Sequence, residues 1–389
     1  MAYNILVLNI GSTSFKFRYY DMETASVLAE GKIGSVFAPS SPFSFEFGSE
    51  QIKGNMDASK GYEPCIKRVA ELVEEKCPGG CNAVKAIGFK TVMAGDTNRT
   101  CKLDDDVLAK MEEYSIVAPA HNTPYIEAVK IAEKIFPSAV PVGAFETDFH
   151  STIPEYAAMY PIDKDMAKKY GIRKYGFHGA AHSNAAKVLS ALGHRRIVSV
   201  HLGGSSSVCA ILDGKSIDTS MGFSPQSGLP MNNRCGDIDA FALLYIMEKE
   251  NMSVKDAREF LCKKGGLLGM SGISNDIRDI EDKGCEIVTE AFAYSTAKYI
   301  CSYLASLGGI DAISFSGGIG ENDISLKKAI CKRLSFMGAE LGDIQPGERA
   351  EKEPVLISSD KSAVKIYITP IDEEIMVAEK TYAYMKGLK

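Results

Sequence analysis

The chain has 389 residues, 45% of them hydrophobic and 24% charged, and its formal net charge is −6. This length and this balance predict a folded protein large enough for two domains. Because the chain is acidic and has no concentrated basic stretch, we expect neither nucleic acid nor an anionic membrane as a partner.

Cysteine usage and hydropathy indicate the compartment. The ten cysteines are scattered, several in apolar segments, which is typical of reduced thiols. Cys77 and Cys81 form the closest pair, and since no second pair follows at metal-ligand spacing, a helix-end turn is favoured over a zinc site. The N-terminus lacks signal-peptide features and no apolar run approaches bilayer length, so we expect a cytoplasmic protein without membrane contact.

The first part of the chain alternates predicted strands and helices. Residues 3–9 and 14–20 are predicted to form a strand pair, and hydrophobic residues at helical spacing predict a helix over 61–76. The strand AVKAIGF comes next, then a helix over 122–135 with Asn122 as cap and Pro124 in its first turn, and then the strand PVGAFE.

From about residue 150 the pattern restarts. The predicted elements are the helix AAHSNAAKVLSAL, the strands RIVSVHL, VCAILDG and KSIDTSM, the helix GDIDAFALLYIMEKE opened by Gly236-Asp237, a long helix over 286–307, the strand, glycine turn and helix of AISFSGGIGEN, the strand KIYIT, and the terminal helix PIDEEIMVAEKTYAYMK.

Two segments repeat one layout. LVLNIGSTSFKFRYYDMET and VSVHLGGSSSVCAILDGKS each read as an apolar strand, a polar residue (Asn9 or His201), a Gly/Ser turn and an outgoing strand. The repeat predicts two copies of one α/β domain, each presenting a Gly/Ser hairpin to a shared cleft as a phosphate cradle. A third glycine turn, at residues 315–320, follows a strand and precedes a helix, where free N–H groups favour a nucleotide.

The combined motifs resemble those of acetate kinases, within the acetate and sugar kinase, Hsc70, actin superfamily. The matching stretches are NIGSTSFK from Asn9, APAHNTP at 118–124, YGFHG from Tyr175, DTSMGF from Asp218, RCGDID from Arg234, SGGIGEN from Ser316 and DEE from Asp372. The resemblance implies duplicated actin-like, ribonuclease H-like domains around an interdomain cleft. It places an N-terminal domain at 1–149 plus 373–389, and a nucleotide-binding, dimerising domain at 150–372.

The resemblance further implies reversible, in-line transfer of the γ-phosphoryl group of ATP to a short-chain carboxylate, acetate or propionate, by a homodimer with Mg²⁺ or Mn²⁺. The products would be an acyl phosphate and ADP. A carboxylate is already deprotonated at pH 7, so the obstacle is bringing two anions together. Positive charge and oriented donors must therefore perform the catalysis.

Site residues are carried over by the same resemblance. Arg234 is expected to span the carboxylate and the moving phosphoryl group, and Glu146, His178 and Lys90 complete the catalytic set. The other expected residues are Asn9, Ser12, Ser14, Lys16, His201, Gly203, Gly204, Asp237, Gly317, Gly318, Ile319 and Glu321 for phosphate and nucleotide; Lys90, Val92, Ala120, His121, Phe177 and Pro225 for the acceptor pocket; and Asn9 and Glu373 for the metal ion.

Departures from the family pattern concentrate at the acceptor end. Lys90 stands where acetate kinases have an arginine, and loses the planar fork that grips a carboxylate. Glu146 stands where acetate kinases have an aspartate. If this segment is extended, Asp148 would lie on the same face as Glu146 and could bind the metal ion instead. Ala120 for leucine enlarges the pocket, and Gly204 stands for an asparagine.

These departures leave alternatives open: a kinase for a larger or more polar acid, or a weakened nucleotide-binding regulatory paralogue. Pyrophosphate as phosphoryl donor is disfavoured because the SGGIGEN turn is intact.

Overall fold

The computed structural model describes residues 2–11, 13–117, 119–345, 350 and 353–388, without the side chains of residues 119–121. The chain divides into two units, Met1–Asp148 with Asp372–Lys389, and Phe149–Ile371. All ten cysteines lie in the described ranges, and none of them forms a disulfide. No helix in those ranges is long and apolar enough to cross a lipid bilayer.

The first unit is built on a mixed sheet with strand order β5-β4-β3-β2-β1-β6-β8-β7. Its strands are β1 (Asn4–Ile10), β2 (Phe15–Asp21), β3 (Ser26–Ile33), β4 (Ser41–Phe47), β5 (Glu50–Met56), β6 (Val84–Phe89), β7 (Cys101–Lys102) and β8 (Val140–Gly143). The run β3-β2-β1 is antiparallel, whereas β6 and β8 continue parallel to β1.

The second unit has a sheet of strand order β11-β10-β9-β12-β14-β13. Its strands are β9 (Arg196–His201), β10 (Ser207–Leu212), β11 (Lys215–Thr219), β12 (Ala312–Ser316), β13 (Val355–Leu356) and β14 (Lys365–Ile368). Here β11-β10-β9 is antiparallel and β12 and β14 are parallel to β9. The series β11-β10-β9-β12-β14 therefore reproduces β3-β2-β1-β6-β8, and the predicted α/β duplication is confirmed.

Helices cover the sheets of both units. In the first unit they are α1 (Tyr62–Lys76), α2 (Asp105–Glu113), α3 (Pro119–Ile135) and α14 (Glu373–Met385). In the second they are α4 (Glu155–Ala158), α5 (Lys164–Lys169), α6 (Gly179–Ala191), α7 (Ala240–Lys249), α8 (Val254–Lys263), α9 (Gly266–Ser271), α10 (Ile277–Asp282), α11 (Glu286–Leu307), α12 (Gly317–Asn322) and α13 (Ile324–Leu334).

Strand β1 is buried on both faces, which explains its unbroken apolar sequence. Leu6 and Leu8 pack into the core that includes residues of α1 and α3, whereas Ile5 and Val7 pack with Val377 of α14. Side chains alternate between the faces of a strand, so two covered faces require a continuous apolar run. Asn9 is the one residue of β1 that is only partly buried, and Ile10 after it is buried again.

Some predicted boundaries are wrong. Helix α3 begins at Pro119, so Asn122 is an interior residue, and its buried amide donates to the carbonyls of Met93 and Met111 at 2.9 and 2.8 Å. Helix α7 begins at Ala240 with Asp239 as its cap, not at Gly236-Asp237. In each case a tertiary partner or a nearer cap replaces the expected one.

Two further strand assignments need correction. Strand β8 stops at Gly143, short of the predicted PVGAFE. The hairpin of β4 and β5, with β3 beside it, was not predicted at all, and β5 is largely exposed, so it carries little of the apolar alternation that identifies a strand.

Candidate functional site

The first Gly/Ser turn joins β1 to β2. Strand pairing runs to Ile10 opposite Phe15, and the Gly11 N–H donates to the Ser14 carbonyl at 2.8 Å, so the connection is a closed hairpin turn. Asn9 lies opposite Lys16, which places both side chains on one face of the sheet. Ser14 and Lys16 are exposed there, and Ser12 lies outside the described residues.

Asn9 is held by its neighbours within the first unit. Its amide donates to Glu374 Oε1 at 3.1 Å, and the Tyr125 hydroxyl, which lies 3.4 Å from Asn9 Oδ1, also accepts from the Ile10 N–H at 3.1 Å. Neither Tyr125 nor Glu374 was predicted. For Glu374, the sequence signal was its place in the acidic run Asp372-Glu373-Glu374.

Lys90 lies between two carboxylates of its own unit. Its Nζ is 2.7 Å from Glu373 Oε2 and 3.8 Å from Glu146 Oε1. Burial by itself lowers the pKa of Lys90, but the two carboxylates outweigh it and raise that pKa. Lys90 therefore stays charged across the physiological range.

Backbone pairing beyond the strand ends creates this arrangement. The Ala144 N–H donates to the Phe89 carbonyl and the Glu146 N–H to the Thr91 carbonyl, each at 2.9 Å. The chain after β8 thus continues beside the chain after β6, which sets Glu146 beside Lys90. These backbone hydrogen bonds beyond the ends of β6 and β8 could not be predicted from the sequence.

The start of α14 carries three successive carboxylates with three separate partners. Arg18 donates to Asp372 at 2.8 Å, Lys90 pairs with Glu373, and Asn9 donates to Glu374. Asp372 also caps the helix by accepting from the Ile375 N–H at 2.9 Å. The strands of the first unit therefore fix the position of Glu373, and Arg18 is a site residue that the sequence analysis missed.

Asp148 does not share a face with Glu146 along an extended segment. The chain turns there, with the Asp148 N–H donating to the Phe145 carbonyl at 3.0 Å. The Asp148 carboxylate accepts from Thr100 at 2.9 Å and lies 3.2 Å from Lys380 Nζ. The premise for a metal role of Asp148 is therefore wrong.

Of the acceptor-pocket residues expected in the first unit, Val92 is buried after β6. The side chains of Ala120 and His121 lie outside the described residues, although both positions belong to α3.

The second Gly/Ser turn joins β9 to β10 and is fastened to α12. The Leu202 carbonyl accepts from the N–H groups of Ile319 and Gly320, both at 3.0 Å, and the Gly317 N–H donates to Glu321 Oε1 at 3.2 Å. The expectation that these helix-start N–H groups are free for an anion is therefore wrong, because the protein uses most of them itself.

A cavity of about 720 Å³ opens beside this turn in the second unit. The predicted residues Gly203, Gly204, Gly318 and Ile319 line one part of it. The sequence analysis missed its other walls, among them Asn232, Ile277, Arg278, Glu281, Asn322 and Ile324. Apolar and polar walls of this kind, in a space of this size, suit a small organic ligand.

Arg234 is a half-buried cation next to the second turn. Its Nη1 donates to Ser205 Oγ at 3.2 Å and to the Pro225 carbonyl at 3.1 Å, both of them neutral groups. In the described ranges no carboxylate lies within ion-pair distance of it, and burial lowers the pKa of its guanidinium. The structure thus brings together Arg234, Pro225 and the Gly/Ser turn, as the sequence analysis expected.

His178 caps the start of α6 with a left-handed backbone, φ 58°. Such a conformation is uncommon outside glycine and is often found at functional sites. The His178 ring lies 4.6 Å from the His201 ring, centre to centre. Phe177, the preceding residue, is buried, and its carbonyl accepts from His150 Nε2 at 2.9 Å.

A buried chain of hydroxyl and imidazole groups supports His178. His178 Nδ1 is 2.8 Å from Ser207 Oγ, which is 2.7 Å from His182 Nε2, and His182 Nδ1 is 2.9 Å from Ser199 Oγ. Burial holds the pKa of His182 well below its usual value, and His150 and His201 lower it further, so His182 is neutral. The i, i+4 spacing of His178 and His182 was the available sequence signal.

Asp237 has protein partners for both of its carboxylate oxygens. One accepts from the Gly228 N–H at 2.8 Å and the other from the Tyr299 hydroxyl. These bonds tie the loop after β11 to α11, and the expected contact of Asp237 with nucleotide stays a prediction.

Known proteins match nearly the whole chain. The profile of the Acetokinase family matches residues 4–379. The acetate kinase of Fervidobacterium nodosum is 37% identical, over 99% of this chain and 98% of its own, and that of Thermoanaerobacter pseudethanolicus is 38% identical, over 99% and 100%.

Solved structures agree. The acetate kinase of Porphyromonas gingivalis has a TM-score of 0.84 at 32% identity and covers 99% of this chain and 100% of its own. A propionate kinase from Francisella tularensis has a TM-score of 0.87 at 32% identity, with coverages of 98% and 99%. The chain therefore belongs to the acetokinase family and is an enzyme, a phosphotransferase whose acceptor is a carboxyl group.

Proposed function

We propose that this enzyme transfers the γ-phosphoryl group of ATP reversibly to acetate or propionate. A carboxylate oxygen attacks the γ-phosphorus in line, the bond from phosphorus to the β,γ-bridging oxygen breaks, and ADP leaves with that electron pair. The two solved relatives are an acetate kinase and a propionate kinase, which supports a small acid as acceptor.

The observation that carries the proposal is the state of Arg234. A guanidinium that is removed from much of the solvent is normally paired with a carboxylate, because an uncompensated buried charge is costly. Arg234 instead donates to Ser205 and the Pro225 carbonyl. Its charge is therefore available to an anion from outside the protein, which is what the transfer of phosphate between two anions requires.

His178 is a second donor for the moving phosphoryl group. Its Nδ1 lies 2.8 Å from Ser207 Oγ, a contact that sets the orientation of the ring. The buried His182 and Ser207 hold the ring in place, so the donor does not have to reorganise when charge develops.

The cavity beside the second turn is proposed to hold the nucleotide. Gly203 and Gly318 line it without side chains, which lets a ligand approach the backbone closely. Ile277 and Ile324 offer apolar surface, and Asn232 and Glu281 offer groups for hydrogen bonds.

A divalent metal ion fits the residues of the first unit only in part. In the described ranges, no three His, Cys, Asp or Glu side chains are grouped to hold a metal. Mg²⁺ is usually held by one or two carboxylates together with phosphate oxygens and water, and Glu373 and the Asn9 oxygen can supply the protein's share. When bound, the ion would neutralise charge on the transferring phosphates.

Lys90 is already engaged by the protein, which bears on how the acceptor is recognised. The Lys90 charge is already matched by Glu146 and Glu373. Arg234 is therefore the cation proposed to meet the acceptor carboxylate. Because Lys90 is paired within the protein, the acceptor end differs from the family pattern. This difference favours the second candidate, a kinase for a larger or more polar acid.

A second copy of the chain is proposed to cover α7. The side chains of Phe241, Leu244 and Tyr245 are 80%, 56% and 61% exposed, and no residue of this apolar helix is buried. An exposed apolar patch on a globular protein marks an interaction surface. Sedimentation of the wild type and of a Phe241→Glu variant tests this, with a shift from dimer to monomer expected.

The experiment for the activity is a hydroxamate assay with ATP and Mg²⁺ across acetate, propionate, branched acids and hydroxy acids. We expect acyl phosphate from acetate or propionate at the highest kcat/KM. A higher value for a larger or polar acid would establish the second candidate instead. Failure with every acid while ATP still binds would contradict both, and faster turnover with pyrophosphate would contradict ATP as donor.

A further inference from the structure

The second Gly/Ser turn connects the cavity of its unit with Arg234. Gly203 and Gly204 line the cavity, and Ser205, the next residue of the turn, accepts from Arg234 Nη1 at 3.2 Å. In the described ranges, the N–H groups of Gly204 and Ser205 have no acceptor. The turn therefore offers backbone donors between the cavity and the cation that is proposed to meet the moving phosphoryl group.

Asn232 faces this turn from a loop whose backbone is held on two sides. Its N–H donates to the Gly204 carbonyl at 3.4 Å, and its carbonyl accepts from the Leu268 N–H of α9 at 3.0 Å. The Asn232 side chain lines the cavity together with Gly203 and Gly204. Because the backbone of Asn232 is fixed, its side chain starts from a defined position beside the turn.

The two ends of the Asn232 amide have different surroundings. Oδ1 is buried and has no hydrogen-bond partner among the described residues. Nδ2 lies 3.7 Å from the point where a Cβ of residue 204 would stand, and no other described atom beyond the adjacent residues lies within 4 Å of that point. The donor end of the amide therefore lies where the first atoms of a side chain at position 204 would be.

The chemistry of this end suits a phosphate oxygen. An asparagine amide carries two N–H donors, and a phosphate group carries only acceptors at its oxygens. Arg234 is proposed to meet the γ-phosphoryl group, and Asn232 and Gly204 lie on the cavity side of the same turn. The phosphate within reach of Asn232 is then the next one along the nucleotide, the β-phosphate.

We propose that the Asn232 side chain donates to the β-phosphate of the nucleotide and takes the place of the side chain that Gly204 lacks. The proposal rests on the proposed function, because that function assigns a nucleotide to this cavity. A contact with the β-phosphate is made by ATP and by ADP alike, so Asn232 determines the affinity for the nucleotide and not the rate of the chemical step.

The test is a calorimetric titration with ADP, with EDTA present so that no metal ion bridges the phosphate and the protein. Asn232→Ala should raise the Kd for ADP by about 10-fold to 100-fold, because a hydrogen bond to a charged group is lost. Asn232→Asp, which keeps the shape but replaces the donor by a carboxylate, should raise the Kd further. A carboxylate can accept from a ribose hydroxyl or a base amino group but not from a phosphate. An Asp variant that binds ADP as tightly as wild type would therefore overturn the proposal.

Position 204 provides a rescue that a merely structural role of Asn232 would not show. Gly204 does not have the positive φ that requires glycine, and a Cβ there would make only an ordinary contact, with the Asn232 amide. The double variant Asn232→Ala/Gly204→Asn places a new amide at this point and should recover most of the lost affinity for ADP. A double variant that binds ADP no more tightly than Asn232→Ala would overturn the proposal.

Asn233→Ala is the matched control. Asn233 is the same residue type one position along the loop and lies outside the described walls of the cavity, so its replacement should leave the Kd for ADP unchanged. The Tm of Asn232→Ala should not fall, because Asn232 Oδ1 is a buried acceptor without a described partner. Equal weakening of ADP binding by the two alanine variants would overturn the proposal, since it would reflect the loop as a whole.

The hydroxamate assay separates this proposal from the proposed function. In an active enzyme, Asn232→Ala should raise the KM for ATP while kcat stays nearly unchanged. An active wild type whose affinity for ADP does not respond to Asn232→Ala would contradict the Asn232 contact alone. Affinity for ADP that falls as expected, in a protein that phosphorylates no acid, would contradict the function alone.

Discussion

Replacing Arg234 by alanine should abolish most of the chemical step while leaving ATP binding nearly intact. The guanidinium contacts the neutral groups of Ser205 and Pro225 and lies beside the Gly/Ser turn of the second unit. Its charge is used most when negative charge is shared among the attacking oxygen, the phosphorus and the leaving oxygen. An interaction that strengthens in the transition state appears in kcat.

The size of the effect follows from the environment of Arg234. A single donor aimed at developing charge contributes a factor of about 10² to 10³, and an arginine that meets a transferring phosphoryl group contributes about 10³ to 10⁵. Because no carboxylate in the described ranges offsets its charge, we expect kcat to fall by about 10³ to 10⁴, or ~4 to 5.5 kcal/mol.

Stability should change little in the same variant. The loss of hydrogen bonds to Ser205 and Pro225 removes about 1 kcal/mol each. The loss of a partly buried, unpaired charge works in the opposite direction. We therefore expect the free energy of unfolding to stay within about 1 kcal/mol of wild type.

The assay is steady-state acyl phosphate formation with ATP and acetate varied separately, together with ATP binding by calorimetry. Arg234→Lys, which keeps the charge but not the fork, should lie between wild type and alanine. Arg195→Ala is the matched control, because Arg195 forms an exposed ion pair with Asp213 and should leave kcat unchanged. A kcat for Arg234→Ala within tenfold of wild type would refute the role of this residue.

Two further predictions concern buried groups. Ser207→Ala should lower kcat by about 10-fold to 100-fold at unchanged KM for ATP, because His178 loses its support. The control is Ser216→Ala, which removes the hydrogen bond to His150 and should leave kcat unchanged. Equal losses of kcat in the two variants, measured by steady-state kinetics, would contradict the role of Ser207. The Lys327 ammonium donates to the carbonyls of Gly320 and Glu321 at 3.0 Å and so holds the end of α12. Replacing Lys327 by methionine should therefore raise the KM for ATP. Burial lowers the pKa of Lys327 from 10.5 to about 8, so the folded state loses this proton first and stability should rise as pH increases from about 8 to 10.5. Urea unfolding from pH 8 to 10.5 should show a smaller rise in the free energy of unfolding for Lys327→Met than for wild type. The same pH profile in both proteins would contradict the lowered pKa of Lys327.

The site shows where sequence reasoning works. The shared layout around Asn9 and His201 predicted that both residues end a strand and open a Gly/Ser turn, and in the structure β1 and β9 occupy equivalent positions in two sheets of the same order. Apolar runs, turn residues and their spacing encode this local plan directly. The family resemblance, not the local pattern, implied that Arg234 meets the moving phosphoryl group, and the structure places it beside Ser205 of the second turn.

Partnership between distant residues was not predictable in the same way. The sequence showed that lysine replaces arginine at position 90, but not that Glu146 and Glu373 neutralise it. Nor did it show that Leu202 uses the N–H groups expected to bind phosphate. These contacts join segments far apart in the chain, and several alternative partners satisfy the same local pattern.

The sequence by itself determined the α/β class, the internal duplication, the family and the residue types available for catalysis, because periodicity and motif spacing are local properties. Only the tertiary structure decided which of these groups are already occupied. Lys90 and most of the first N–H groups of α12 are satisfied within the protein, whereas Arg234 donates only to neutral groups. The physical reason is that a charge or a donor acquires its role from what folding places beside it, and that depends on the packing of whole elements.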